Sequence, residues 1–214
     1  MSSPRPPRIY VLAGVNGAGK SSIGGAAFRQ YGGEYYNPDG FARKLMAADP
    51  TLTQADANSA AWHQGVRLLK QAIEKRLDFA FETTLGANTI PRLLSEASSQ
   101  GFDIYVWYVG LSTPELHIER VQARVRRGGH DISAEQIRQR YDHSRLNLIE
   151  LLPRLTALRV HDNSADADPA AGRTPKPKLV LHMERRKILN PRDLAHTPDW
   201  AKPIVAAAID LSQR

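Results

Sequence analysis

Residues Gly14 to Ser22, Gly-Val-Asn-Gly-Ala-Gly-Lys-Ser-Ser, constrain the fold more than any other segment, because they fill the pattern G-x-x-x-x-G-K-[ST] without a mismatch. Such a loop needs a strand before it and a helix after it. Ile9-Tyr10-Val11-Leu12-Ala13 is a short apolar, β-rich run suited to a buried parallel strand, and Ser22 to Gln30 can continue as a helix. Gly14, Gly17 and Gly19 let the backbone wrap a phosphate with its N–H groups inward, and Lys20 adds a point charge for the outer phosphates. Ser21 is placed to put its hydroxyl on Mg²⁺, and the helix starting at Lys20 offers its positive N-terminal end to the anion. The expected nucleotide-binding set is therefore Gly14, Val15, Asn16, Gly17, Ala18, Gly19, Lys20, Ser21 and Ser22. The competing reading is a glycine turn that binds nothing.

Along the rest of the chain, strand-like runs alternate with helical ones, the pattern of an α/β domain with a mainly parallel sheet. Strands are expected at 34–37, 78–82, 102–109, 157–161 and 179–182, the last two closing the sheet. Helices are expected at 39–46, 53–76, 91–100 and 115–127, then from the Ser133/Gln136 capping box towards Leu152, and finally over 198–211. Residues 1–8 read as a short disordered leader, residues 9–214 as one domain, and Asn163 to Lys178 as a mobile loop.

The chain has 214 residues, no cysteine and a net charge of +7. The first bound permits one substantial core; the second excludes a disulfide framework, a thiolate metal site and a cysteine nucleophile, and fits a reducing cytoplasm. No segment approaches the length needed to span a bilayer. Between Arg120 and Arg145 there are seven arginines against three acids, which suits triphosphate handling at least as well as a polyanion groove. Tyr141 is the only Phe, Trp or Tyr in that stretch, so a nucleotide-switched nucleic-acid-binding regulator, which would stack bases on aromatics, is the weaker alternative. No His, Asp and Glu spacing suggests a protein-only metal site, so Mg²⁺ is expected to arrive with the nucleotide.

In such sheets ligands gather at the carboxyl ends of the strands. Asp39 follows the second strand, Glu82-Thr83-Thr84 the third, and Asp162-Asn163 the fifth: candidates for a base, for substrate hydrogen bonds and for an adenine-side contact. Asp before a helix is also a common N-cap, and both readings of Asp39 stand at this level.

Taken together, Ala13 to Ser22, Asn37-Pro38-Asp39 with Arg43, Phe81-Glu82-Thr83-Thr84-Leu85, Arg124 to Ile132, Ile137 to Leu148 and Asp162-Asn163-Ser164 resemble the zeta toxins and their chromosomal relatives, P-loop kinases of UDP-N-acetylsugars. The resemblance implies a three-layer α/β P-loop kinase fold with a mainly parallel sheet and a helical lid at about 115–150. It implies phosphate transfer from ATP or GTP, with Mg²⁺, to a sugar hydroxyl. Asp39 looks like the family's general base, Glu82 and Thr84 like its substrate-side pair, and Arg43 like a support for Asp39 or the sugar nucleotide. Arg127 and Arg140 look like its paired lid arginines, with Lys20 the third catalytic cation and Asn163 on the nucleotide side. No appended antitoxin segment is visible, so an antitoxin is expected as a separate polypeptide or not at all. A nucleoside, an antibiotic or another dinucleotide stays open as the acceptor.

Overall fold

The computed structural model describes residues 5–20, 35–129, 131–165, 177–190 and 194–214. Seven strands form one sheet in the order β2-β3-β1-β4-β5-β6-β7: β1 Arg8–Ala13, β2 Tyr35–Tyr36, β3 Phe79–Thr83, β4 Asp103–Gly110, β5 Ala157–Asp162, β6 Lys178–Glu184 and β7 Lys187–Asn190. The pairings from β2 through β5 are parallel and those of β6 and β7 antiparallel. The described helices are α1 Pro38–Ala48, α2 Gln54–Glu74, α3 Thr89–Ser99, α4 Pro114–Val125, α5 Ala134–Leu151 and α6 Lys202–Ser212. The helix expected over Ser22 to Gln30 lies outside the described residues, as does most of the expected loop at 163–178.

The period-2 pleat of the central strands explains why they read as continuous apolar runs. Ile9, Val11 and Ala13 of β1 face one way, with Ile104, Val106 and Tyr108 of β4 and Leu158 and Val160 of β5. Leu69 of α2, Leu94 of α3, Leu148 of α5 and Ile204 of α6 pack onto that face. Tyr10, Leu12, Trp107 and Val109 face the other way and are also buried. A strand covered on both sides carries no polar alternation, as parallel strands require. Four of the described helices start where short polar side chains take up free N–H groups: Asn37 Oδ1 accepts from Gly40, Thr53 Oγ1 from Asp56, Thr113 Oγ1 from Leu116 and Ser133 Oγ from Gln136.

Two sequence expectations need amending. The sheet does not end at β6: Arg185 and Arg186, at φ 44° and 65°, make a two-residue turn and return the chain as β7. Such turns ordinarily announce themselves with Asn-Gly, and Arg-Arg gives no such signal. The strain is held by the Arg185 N–H on Thr156 O at 2.8 Å. Arg186→Gly should therefore raise stability by about 1 kcal/mol, seen as a thermal midpoint about 2–4 °C higher. At the other end, the described part of the expected leader is tied down. Arg5 pairs with Asp78 at 2.7 Å, Asp103 N–H donates to Pro7 O, and Arg8 is already strand.

Candidate active site

The loop between β1 and the helix expected after it passes over the carboxyl end of the sheet. Gly14, Gly17 and Gly19 have φ of 140°, 82° and 83°, where a side chain is strained. Space is closed as well: a Cβ on Gly14 would run into the Val109 carbonyl oxygen, one on Gly17 would lie 2.6 Å from His117 O, and one on Gly19 would meet the Asn163 amide. The glycines are thus required by geometry, and the conformation fits a backbone cradle for phosphate oxygens. Asn163 is buried and donates from Nδ2 to Ala18 O at 2.9 Å, so in this structure it braces the loop.

Lys20 is buried beneath the loop. Its ammonium donates to Gly14 O at 2.8 Å and lies 3.3 Å from Glu82 Oε1. The other Glu82 oxygen accepts from Tyr35 at 2.7 Å and from Asn37 Nδ2 at 3.0 Å. Burial first, and then the Glu82 carboxylate, raise the Tyr35 phenol well above its ordinary value and keep it a donor. Asn37 in turn caps α1, so one carboxylate fixes the loop lysine, β2 and the helix that carries Asp39. Asp39 sits in the first turn of α1, but the cap is Asn37. The Asp39 side chain is 39% exposed, 3.8 Å from Arg124 Nη1.

One pocket gathers six of the expected residues. Asn16, Lys20, Asp39, Glu82, Thr84 and Arg140 all line it. Its far wall, from Tyr36, α2 and α3, is apolar: Ala61, Trp62, Val66 and Ile90. Gly65 leaves room there for the Tyr36 ring, 2.8 Å from where its Cβ would stand, and Tyr36 donates to Ala61 O.

Arg140, on α5, reaches across to donate to Asn16 Oδ1 at 2.8 Å. Burial lowers its pKa while Asp39 raises it, and a guanidinium remains a cation throughout. Arg127 lies beyond the end of α4, exposed, and Arg43 is exposed on α1; neither lines the pocket. Ser21, Ser22 and His130 lie outside the described residues. Among the described residues, no group of three or more His, Asp or Glu could hold a metal ion.

Several supports gave no sequence signal. Ser144 of α5 donates to Thr84 O at 2.6 Å and Asn147 donates to Leu85 O at 2.6 Å, pinning the loop after β3 where Leu85 adopts φ 53°. Tyr108 meets Ser144 from below at 3.0 Å. These polar groups interrupt the apolar stripe of α5 and read from sequence only as surface positions.

His117 of α4 is 1% exposed, and its Nδ1–H donates to Asn16 O at 2.8 Å. Burial pushes its pKa down to about 4, against the bond to Asn16, with smaller downward pushes from Lys20 and Arg120. The unfolded chain therefore takes up this proton first as pH falls. The stability at stake is intact above pH ~6.5 and is withdrawn as pH drops towards 4, by about 3 kcal/mol in full. Denaturant melts at pH 7 and pH 4.5 should show a smaller acid loss in His117→Gln than in the parent.

A β-strand, a positive-φ glycine loop and an in-turned lysine at the end of a mostly parallel sheet, with acid and arginine facing them across a pocket, define a P-loop α/β protein of kinase type. The chain belongs to the zeta toxin family: the family model described as Zeta toxin matches residues 1–168. An uncharacterized protein of Haemophilus influenzae is 31% identical over 135 residues, 63% of this chain and 92% of that protein. Among solved structures, the AvrRxo1-ORF1:-ORF2 complex with ATP aligns at a TM-score of 0.67 and 13% identity, over 95% of this chain and 64% of that chain. This chain thus spans under two thirds of that protein's length. The PezAT chromosomal toxin–antitoxin system of Streptococcus pneumoniae aligns at 0.55 and 16% identity, over 82% of this chain and 75% of that one. Among the described residues, no helix is long and apolar enough to cross a membrane.

Proposed function

We propose that the protein transfers the γ-phosphate of ATP or GTP to a hydroxyl of a UDP-N-acetylsugar. The observation that carries this reading is the shared pocket, where Lys20 and Asn16 from the loop face Asp39, Glu82 and Thr84, with Arg140 above them. The acceptor oxygen attacks the γ-phosphorus, the bond to the bridging oxygen breaks, the nucleoside diphosphate leaves, and the hydroxyl proton passes to the Asp39 carboxylate. Lys20 and Arg140 place positive charge where negative charge develops on the transferring group. Glu82 and Thr84 position the acceptor, and the apolar wall at Trp62 gives its flat or apolar part a surface. Mg²⁺ bound with the nucleotide supplies further charge neutralisation. Ser21, by its place in the motif, would hold it.

In this proposal residues 9–214 act as one domain and the α4–α5 hairpin is its lid, with Arg127 at the tip brought in only on closure. The lid is anchored, since Leu148 and Leu151 of α5 sit in the main core. A separate antitoxin polypeptide belongs to the same reading, as in the PezAT system. The nucleic-acid alternative loses ground because Arg145 of α5 is engaged within the protein, stacked 4.2 Å over Tyr141.

Purified protein incubated with ATP or GTP, Mg²⁺ and UDP-N-acetylglucosamine should yield the sugar nucleotide heavier by one phosphate in mass spectrometry. A mass shift seen only in other metabolites of a cell extract would keep the kinase and replace the acceptor. Absence of any phosphorylated product would defeat the reading.

A further inference from the structure

Asn16 occupies a variable position of the glycine loop, and the motif assigns it nothing beyond its backbone. In the structure it is the point where both helices of the α4–α5 hairpin take hold of the loop. The His117 imidazole of α4 fixes its carbonyl at 2.8 Å, and the Arg140 guanidinium of α5 donates to its side-chain oxygen at 2.8 Å. Asn16 is 7% exposed. An arginine has only donors, so the atom facing it is the amide oxygen and the orientation of the Asn16 side chain is decided by chemistry. Gly17 reinforces the junction, packed so closely on the His117 carbonyl that no Cβ fits.

We propose that Asn16 is a positioning residue: it holds Arg140 over the phosphate-transfer site and couples the α4–α5 hairpin to the glycine loop. His117 immobilises the Asn16 backbone, and the side chain then presents one fixed acceptor to the guanidinium. A long arginine would otherwise sample many rotamers, and ordering it beforehand removes that cost from the reaction step. Asn16 acts through Arg140, which in the proposed function stabilises charge on the transferring group, so this inference rests on that reading.

The test is a double-mutant cycle on Asn16→Ala, Arg140→Ala and the pair, with two readouts. In transfer assays, Asn16→Ala should lower kcat by about 10- to 100-fold with the KM for ATP little changed, and the double variant should be no slower than Arg140→Ala. In hydrogen exchange of the nucleotide-free protein, amides of residues 134–141 should exchange faster in Asn16→Ala and in Arg140→Ala, with no further gain in the pair. Multiplying kcat losses, a change confined to the KM for ATP, or exchange unaltered by Asn16→Ala would overturn the proposal. If the parent transfers phosphate to no acceptor, the proposed reaction fails by itself, and the exchange data still decide whether Asn16 holds the hairpin.

Discussion

Asp39→Ala is expected to slow phosphate transfer by about 10²- to 10⁴-fold, the usual range for a positioned proton acceptor, while ATP still binds. Two structural facts separate these effects. Asp39 stands in the first turn of α1, an element separate from the glycine loop, and lines the pocket they share. The end of α1 that carries it is held by Asn37 and Glu82, neither of which the substitution touches. Isothermal titration with ATP beside a steady-state transfer assay would distinguish the outcomes. Near-parent turnover would remove Asp39 as the base, and loss of ATP binding would recast it as part of the donor site. Asp39→Asn is the companion variant, since it keeps the shape and removes the proton acceptor.

Arg140→Ala is expected to cost about 10³-fold or more in kcat, the scale on which arginines act in nucleotide hydrolases. Size and charge both matter here. Arg140 is the one arginine among the residues lining the described pocket, and burial has already removed part of its hydration. Its charge consequently acts through a poorly screened path. Arg140→Lys should recover little, because an ammonium cannot reproduce a planar fork held at Asn16. Arg127→Ala measured in parallel is informative: a loss of similar size would mean that the hairpin tip closes over the substrates during turnover.

The order of strands and helices was legible because parallel strands buried on both faces are apolar throughout, and because Asn37, Thr53, Thr113 and Ser133 mark helix starts. The glycine loop was legible residue by residue, since positive φ and closed space leave glycine as the fitting residue. Asp39, Glu82, Thr84 and Arg140 were singled out through strand ends and family pattern, and all four line one pocket. The division of labour among the arginines was not legible. Arg120, Arg124, Arg126 and Arg127 follow one another too closely for spacing to say which faces inward; that depends on where α4 ends, and it ends before Arg127. Asn163 is expected on the adenine side from its place after β5; its bracing role, with Nδ2 donating to Ala18 O, was not legible in the sequence. Ser144, Asn147 and His117 stayed hidden because a buried polar group looks like a surface one until its partner is known.

The tie between Trp200 and Asp162 sets where this protein can be cut. The indole N–H donates to Asp162 Oδ1 at 3.0 Å, the ring fills the space that a Cβ on Gly110 would need, and the next residue along, Asn163, braces the glycine loop. The family match stops at residue 168, but the folding unit does not. Truncation there would strip Val180, Leu181, Met183, Ile204 and Val205 from the main core, at roughly 1.5–3 kcal/mol each, a sum comparable with the whole net stability of about 5–15 kcal/mol typical of a domain. It would also bare the β5 edge. The boundary drawn by shared ancestry and the boundary at which the chain can stand alone are different lines, and fragments, fusions and split reporters built on this protein must respect the second.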